Sequence, residues 1–255
     1  MEKSETNQTA KLTRRSFLQR AAVAATASVG PWIIPSSARG ADGFTPPSER
    51  FNVGLIGRGL MGSGHLRVLL GRKDAQVLAV CDVDRSRCEE GQRLANETYA
   101  AARASGTYRG CAAYNDYREL LARTDIDAVV IVTPDHWHAL ASCDAAAAGK
   151  DVYCEKPISL TIDEGRKIID AVRRNGRVFQ TGTQYRSIPT IREVCEFVRR
   201  GGLGRVKQVF TMWGKTGVPK LGASYVPLDP SLPAEPVPDG LDWDLWVGPA
   251  TWRPY

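Results

Sequence analysis

The chain has 255 residues and a formal net charge of +6, with 43% apolar and 24% charged side chains. This composition is ordinary for a globular chain, and nothing beyond residue 40 approaches the ~20 consecutive apolar residues that a membrane span needs. Lys3, Lys11, Arg14, Arg15, Arg20 and Arg39, offset by only Glu2 and Glu5, carry four of the six charges, so the remainder is near +2, too weak to argue for a nucleic-acid partner.

Residues 1–40 read as a leader. Thr13-Arg14-Arg15-Ser16-Phe17-Leu18-Gln19 precedes an alanine-rich run from Ala21 to Val29, and small residues follow at Ser36, Ser37, Ala38 and Gly40. Paired arginines, a short apolar stretch and small residues at a cleavage point make a twin-arginine export signal, and predict a periplasmic or otherwise exported protein. Such a route carries folded proteins, which suits a chain that binds a cofactor before it leaves. Without the leader about 215 residues remain, enough for one domain and part of another.

Val53 to Ile56 predicts a strand, Gly57 a turn, and Leu66, Leu69 and Leu70 a helix that stops at Gly71. Ala75 to Cys81 is a second strand, and Asp84 caps a helix from Arg85 towards Tyr99. Ala101 to Gly110 reads as a loop before a short strand at Cys111 to Tyr114, and Asp116 caps a helix through Leu120 and Leu121. Asp127 to Val132 is a continuous apolar run of the kind buried on both faces of a sheet. A helix over His136–Ala148, a strand over Asp151–Cys154, a capping box at Thr161 and Glu164 opening a helix towards Gly176, and a strand over Val178–Thr181 complete the alternation. Strands and helices in this order predict an α/β fold, a Rossmann-type doubly wound parallel sheet, over residues 48–203.

Beyond Gly204 the texture changes, and residues 204–255 read as the start of a second domain. Val206 to Trp213 alternates like an exposed strand, and residues 215–255 hold eight prolines and three tryptophans. Trp243, Trp246, Val247 and Trp252 are too apolar for a solvated linker and require a packing surface. The six cysteines form no Cys-x-x-Cys; Cys81 and Cys154 read as small hydrophobes in buried strands, and the spacing supports neither a disulfide framework nor a metal site.

Three clusters carry candidate chemistry. Gly57-Arg58-Gly59-Leu60-Met61-Gly62 matches Gly-x-Gly-x-x-Gly between a strand and a helix, with Asp82 twenty residues after Gly62 at the end of the next strand. In that context the glycines bring backbone N–H groups and a helix N-terminus against a pyrophosphate, while Asp82 accepts from ribose hydroxyls and repels a 2′-phosphate. NAD is therefore the expected cofactor; Arg58 and Arg85 leave NADP open, since either could turn towards a phosphate. Thr133-Pro134-Asp135-His136-Trp137-His138 lies at the end of the fourth strand, where ligands of open α/β sheets bind; His138 either meets the nicotinamide side or is structural, and Trp137 packs. Glu155-Lys156-Pro157 ends the fifth strand, with proline holding Lys156 extended so that its ammonium enters the same crevice and stabilises a developing alkoxide. Glu155 either balances that charge or touches the cofactor.

GRGLMG, TPDHWHA and AGKDVYCEKPIS together resemble the Gfo/Idh/MocA oxidoreductases, and DWDLWVGPATWRPY resembles their exported branch. The resemblance implies a Rossmann domain followed by an α/β domain with a mostly antiparallel sheet, through which a homo-oligomer can form. It implies NAD(P)-dependent hydride transfer on a sugar, polyol or related hydroxy compound, with Lys156 as the active-site lysine and the segment containing Gln184 and Arg186 approaching the cofactor. A redox-neutral glycosidase or lyase of the same fold, and a non-catalytic dinucleotide-binding fragment, are the alternatives. Family members take a catalytic histidine from the second domain, whereas His65, His136 and His138 are the histidines here, so the chain reads as truncated within that domain.

Overall fold

The computed structural model describes residue 45, residues 49–210 and residues 233–255. The expected leader lies outside the described residues. Six strands, β1 (Phe51–Ile56), β2 (Ala75–Cys81), β3 (Ala112–Tyr114), β4 (Ala128–Ile131), β5 (Asp151–Glu155) and β6 (Phe179–Gly182), form one sheet in the order β3-β2-β1-β4-β5-β6. Every neighbouring pair is parallel. The order reverses between β1 and β4, so the crevice beyond their carboxyl ends is the place where this architecture receives a ligand.

Both faces of the sheet are covered. Leu55, Val77 and Val80 pack with Leu66 and Leu70 of α1 (Leu60–Leu70) and with Cys88 and Ala95 of α2 (Arg85–Thr98). On the other face Ile56, Val129 and Ile131 pack with Leu120 of α4 (Tyr117–Leu121) and with Trp137, Ala141 and Ala145 of α5 (Asp135–Ala147). This double burial is why the strands read as unbroken apolar runs. Asp84 and Asp116 cap α2 and α4 as their positions suggested, and Thr161 and Glu164 form a reciprocal capping box at the start of α6 (Ile162–Arg174). Cys81 and Cys154 are buried within their strands.

Two local expectations are corrected, and one element is added. The expected loop from Ala101 begins with a short helix, α3 (Ala100–Ala104), because alanine and arginine sustain a helical turn until Gly106 takes a positive φ of 73°. Residues 206–210 are not a strand, since they have no pairing partner among the described residues; the rest of that expected strand lies outside them. A helix not anticipated from the sequence, α7 (Pro189–Arg199), starts on proline at its first turn and leaves Val194 and Phe197 exposed.

The described residues of 49–255 form one compact unit. The aromatic segment near the end of the chain finds its packing surface on the strand ends: Val247 of α8 (Trp243–Val247) is buried, Trp243 stacks on Trp246 at 4.8 Å, and the Trp137 indole N–H donates to the Leu245 carbonyl at 2.9 Å. Trp246 and Trp252 stay exposed, the Trp252 indole N–H donating to Asp244. No helix among the described residues is long and apolar enough to cross a membrane.

Candidate cofactor site

The three glycines of the first turn are glycine for different reasons. Gly57 has a φ of +89°, and a Cβ there would meet the Val132 carbonyl oxygen at 2.6 Å. A Cβ on Gly62 would run into the Gly57 carbonyl. Both are demanded by the close passage of β1, α1 and the end of β4. No close contact or positive φ among the described residues demands Gly59: its φ is −66°, and a Cβ would meet no atom within 4 Å. Gly59 is also the N-cap of α1, no side chain caps that helix, and its first turn holds no acid. An open cradle in front of uncapped helical N–H groups fits a pyrophosphate.

Asp82, 9% exposed, ends β2 beside this turn. Its carboxylate accepts from the Arg58 backbone N–H at 2.6 Å and from the Asp84 N–H at 2.9 Å, so it pins the glycine turn to the start of α2. Arg58 itself does not enter the crevice. Its side chain is buried beneath α2 and donates to Glu90 at 2.7 Å, a hydrogen bond that holds the Glu90 carboxyl below its ordinary value. Arg87, which pairs with Asp84 at 3.2 Å, is the arginine that borders the crevice.

At the end of β4, Thr133 and Pro134 line the crevice. The Thr133 hydroxyl is buried without a hydrogen-bond partner, a polar atom suited to a ligand group. His138 is 1% exposed and lies between the carbonyl oxygens of Thr133 at 2.8 Å and Pro157 at 2.5 Å, bracing the loops after β4 and β5 against each other.

Glu155 closes β5 as a hub. It is 3% exposed, and its carboxylate accepts from His65 Nε2 at 2.8 Å, from Gln184 Nε2 at 3.0 Å and from the Lys156 backbone N–H at 3.1 Å. Burial pushes this carboxyl up, but the bonds from His65, Lys156 and Gln184 outweigh it and hold the group below the usual glutamate range. A Cβ on Gly182 would stand 2.8 Å from Glu155 Cα, so β6 can pair there only as glycine. His65 on α1 was not legible as a site residue, because its partner lies ninety positions away. Lys156 is exposed, borders the crevice and makes no ion pair among the described residues; the peptide that follows it is cis. Arg186 is exposed in the turn Gln184–Ser187 and does not reach the crevice.

The crevice, about 800 Å³, thus runs from Asp82 past Gly57, Gly59 and Met61 to Thr133 and Lys156. Sheet order, glycine turn and strand-end acid define a dinucleotide-binding α/β protein. The family model described as an oxidoreductase family with an NAD-binding Rossmann fold matches residues 51–183, more than half of the chain, which belongs to this family, the Gfo/Idh/MocA oxidoreductases. The chain is 31% identical over 170 residues to inositol 2-dehydrogenase 2 of Saccharopolyspora erythraea, covering 66% of this chain and 46% of that one. It is 33% identical over 162 residues to levoglucosan dehydrogenase of Pseudarthrobacter phenanthrenivorans (62% and 39%), and 32% identical over 175 residues to a glycosyl hydrolase family 109 protein of Shewanella pealeana (64% and 38%). The chain therefore spans less than half the length of these curated relatives. A scyllo-inositol dehydrogenase structure from Lactobacillus casei shares the fold, with a TM-score of 0.53 at 24% identity, over 61% of this chain and 42% of that one.

Because the folded Glu155 carboxyl lies below its unfolded value, its charge stabilises the native state above the unfolded pKa of ~4.3, and that contribution is lost as pH falls through the folded value. Glu155→Gln is expected to be less stable than the native chain near neutrality, with the difference shrinking below about pH 4. Urea midpoints across pH measure this, and a difference that does not change with pH would contradict it.

Proposed function

We propose that the chain binds NAD across the strand ends and supplies the cofactor half, together with the lysine, of an oxidoreductase. That enzyme moves a hydride between the nicotinamide and a sugar, polyol or related hydroxy compound. The observation that carries this reading is the union, in one crevice, of an open glycine cradle, a buried strand-end aspartate and a lysine with no ion pair among the described residues. Backbone N–H groups around Gly59 and the start of α1 receive the pyrophosphate. Asp82 accepts from the ribose hydroxyls and disfavours a 2′-phosphate, which favours NAD over NADP, with Arg58 turned under α2 and Arg87 held by Asp84. Bound NAD supplies the hydride acceptor.

Lys156 donates to the substrate oxygen and stabilises the charge that builds there, while Glu155, fixed by His65 and Gln184, sets the strand end from which the lysine projects. The general acid/base comes from outside the described residues. Each histidine is already engaged: His65 by Glu155, His138 by two carbonyls, and His136 by the Trp246 carbonyl at 2.9 Å. The relatives named as inositol and levoglucosan dehydrogenases support a hydroxy-compound substrate. The relative named as a glycosyl hydrolase supports a second reading, in which the cofactor is used without net turnover.

Net NADH formation across a panel of polyols and sugars separates the two. Accumulating NADH that falls by about a hundredfold or more in Lys156→Met is expected for the dehydrogenase. NAD-dependent glycoside cleavage without NADH supports the second reading. NAD binding with neither reaction overturns catalysis by this chain and leaves a dinucleotide-binding module.

We further propose export through the twin-arginine route. Its warrant is Arg14-Arg15 ahead of the short apolar run. Arg14→Lys with Arg15→Lys is expected to retain the protein in the cytoplasm, as cell fractionation would show; undiminished export of the double variant would count against the route.

A further inference from the structure

Residues 238–247 are tied across the strand ends at particular places. The Arg85 N–H donates to the Gly240 carbonyl and the Asp242 N–H to the Val83 carbonyl, both at 2.9 Å, and Leu241 forms an antiparallel bridge with Asp84. Asn115 Nδ2 donates to the Asp242 carboxylate at 2.9 Å. Further along, Trp137 Nε1 donates to the Leu245 carbonyl, and His136 Nε2 contacts the Trp246 carbonyl. The tethers fall on the loops that follow β2 and β3 and on the first turns of α2 and α5, beginning one residue past Asp82. These loops surround the adenosine half of a dinucleotide crevice, because the acid ending the second strand marks the adenosine ribose.

The side chains that this segment brings to the crevice are mostly apolar: beside the acid Asp239 it places Trp243 and Trp246 there with a proline and two leucines. Pro238, Leu241 and Leu245 line it, and neither leucine is fully buried in the protein's own core. A rigidly tethered stretch that leaves leucines bordering a cavity is a preorganised surface for a flat, weakly polar ring.

We propose that residues 238–247 form a wall of the adenosine subsite, with Leu241 and Leu245 packing against the adenine ring of the cofactor. The proposal rests on the dinucleotide reading above and adds to it a binding surface from outside the Rossmann-type segment. Asp82 then holds the ribose by hydrogen bonds while the leucines exclude water from the base. The segment serves the adenosine end alone, and the nicotinamide end gains nothing from it.

The test is calorimetric titration of the full chain, native and with Leu241→Ala plus Leu245→Ala, using NAD, ADP-ribose and NMN as probes. The leucine variant is expected to weaken ADP-ribose and NAD by about tenfold and to leave NMN unchanged. Asn115→Ala, which removes one tether while keeping the wall residues, is expected to weaken ADP-ribose by a smaller factor, and it serves if the leucine variant fails to fold. Unchanged ADP-ribose affinity in a folded variant, or equal losses for ADP-ribose and NMN, would overturn the wall while leaving the dinucleotide site standing. Absence of NAD binding by the native chain would overturn the dinucleotide reading and the wall with it.

Discussion

A carboxylate buried at the end of a strand must find its hydrogen-bond donors close by, and this chain meets that requirement twice on one edge of its sheet. Asp82 closes β2 and takes the N–H groups of Arg58 and Asp84; Glu155 closes β5 and takes His65, Gln184 and the Lys156 N–H. The two acids flank the point at which the strand order reverses. Each ties together loops that neutral residues would leave free: Asp82 fixes the glycine turn to α2, and Glu155 fixes α1 to the turn after β6. These ties hold two turns and two helices together around the crevice between the acids.

Charge and exposure then sort the residues on that edge. Arg58 and His138, buried and engaged within the protein, serve the scaffold. Gly59, the Thr133 hydroxyl and the Lys156 ammonium have no partner among the described residues that explains them, and all three border the same crevice. Arg58 Nε and the Ser142 hydroxyl are also buried without a hydrogen-bond partner, but they lie singly and away from the crevice, whereas three groups with unmet capacity meet there.

Much of the fold is legible because its signals are local. The runs Val53–Ile56 and Asp127–Val132, the caps at Asp84 and Asp116 and the box at Thr161 and Glu164 each need only a few neighbouring residues to be understood. Gly57 to Gly62 with Asp82 is readable for the same reason, since the motif spans one strand-helix-strand unit. What was not legible depends on distance in the chain. The Arg58 guanidinium could have faced a phosphate or Glu90, and only the packing of α2 decides. His65 carries no motif and acquires its role from β5. The α7 helix is a different case: Pro189 ahead of Ile191, Val194, Cys195 and Val198 is a helical pattern that reading by motif passed over.

The central claim is that the glycine turn is built for a ligand rather than for the fold, and Gly59→Ala addresses it most directly. The added methyl meets no protein atom within 4 Å, so the stability cost should stay within the about 1 kcal/mol of exchanging a glycine N-cap for alanine. Calorimetric titration with NAD should show saturable binding by the native chain and a loss of about tenfold or more in the variant, where the methyl occupies the cradle. Equal NAD affinity in the two proteins, with stability preserved, would contradict the assignment of the pyrophosphate to this turn.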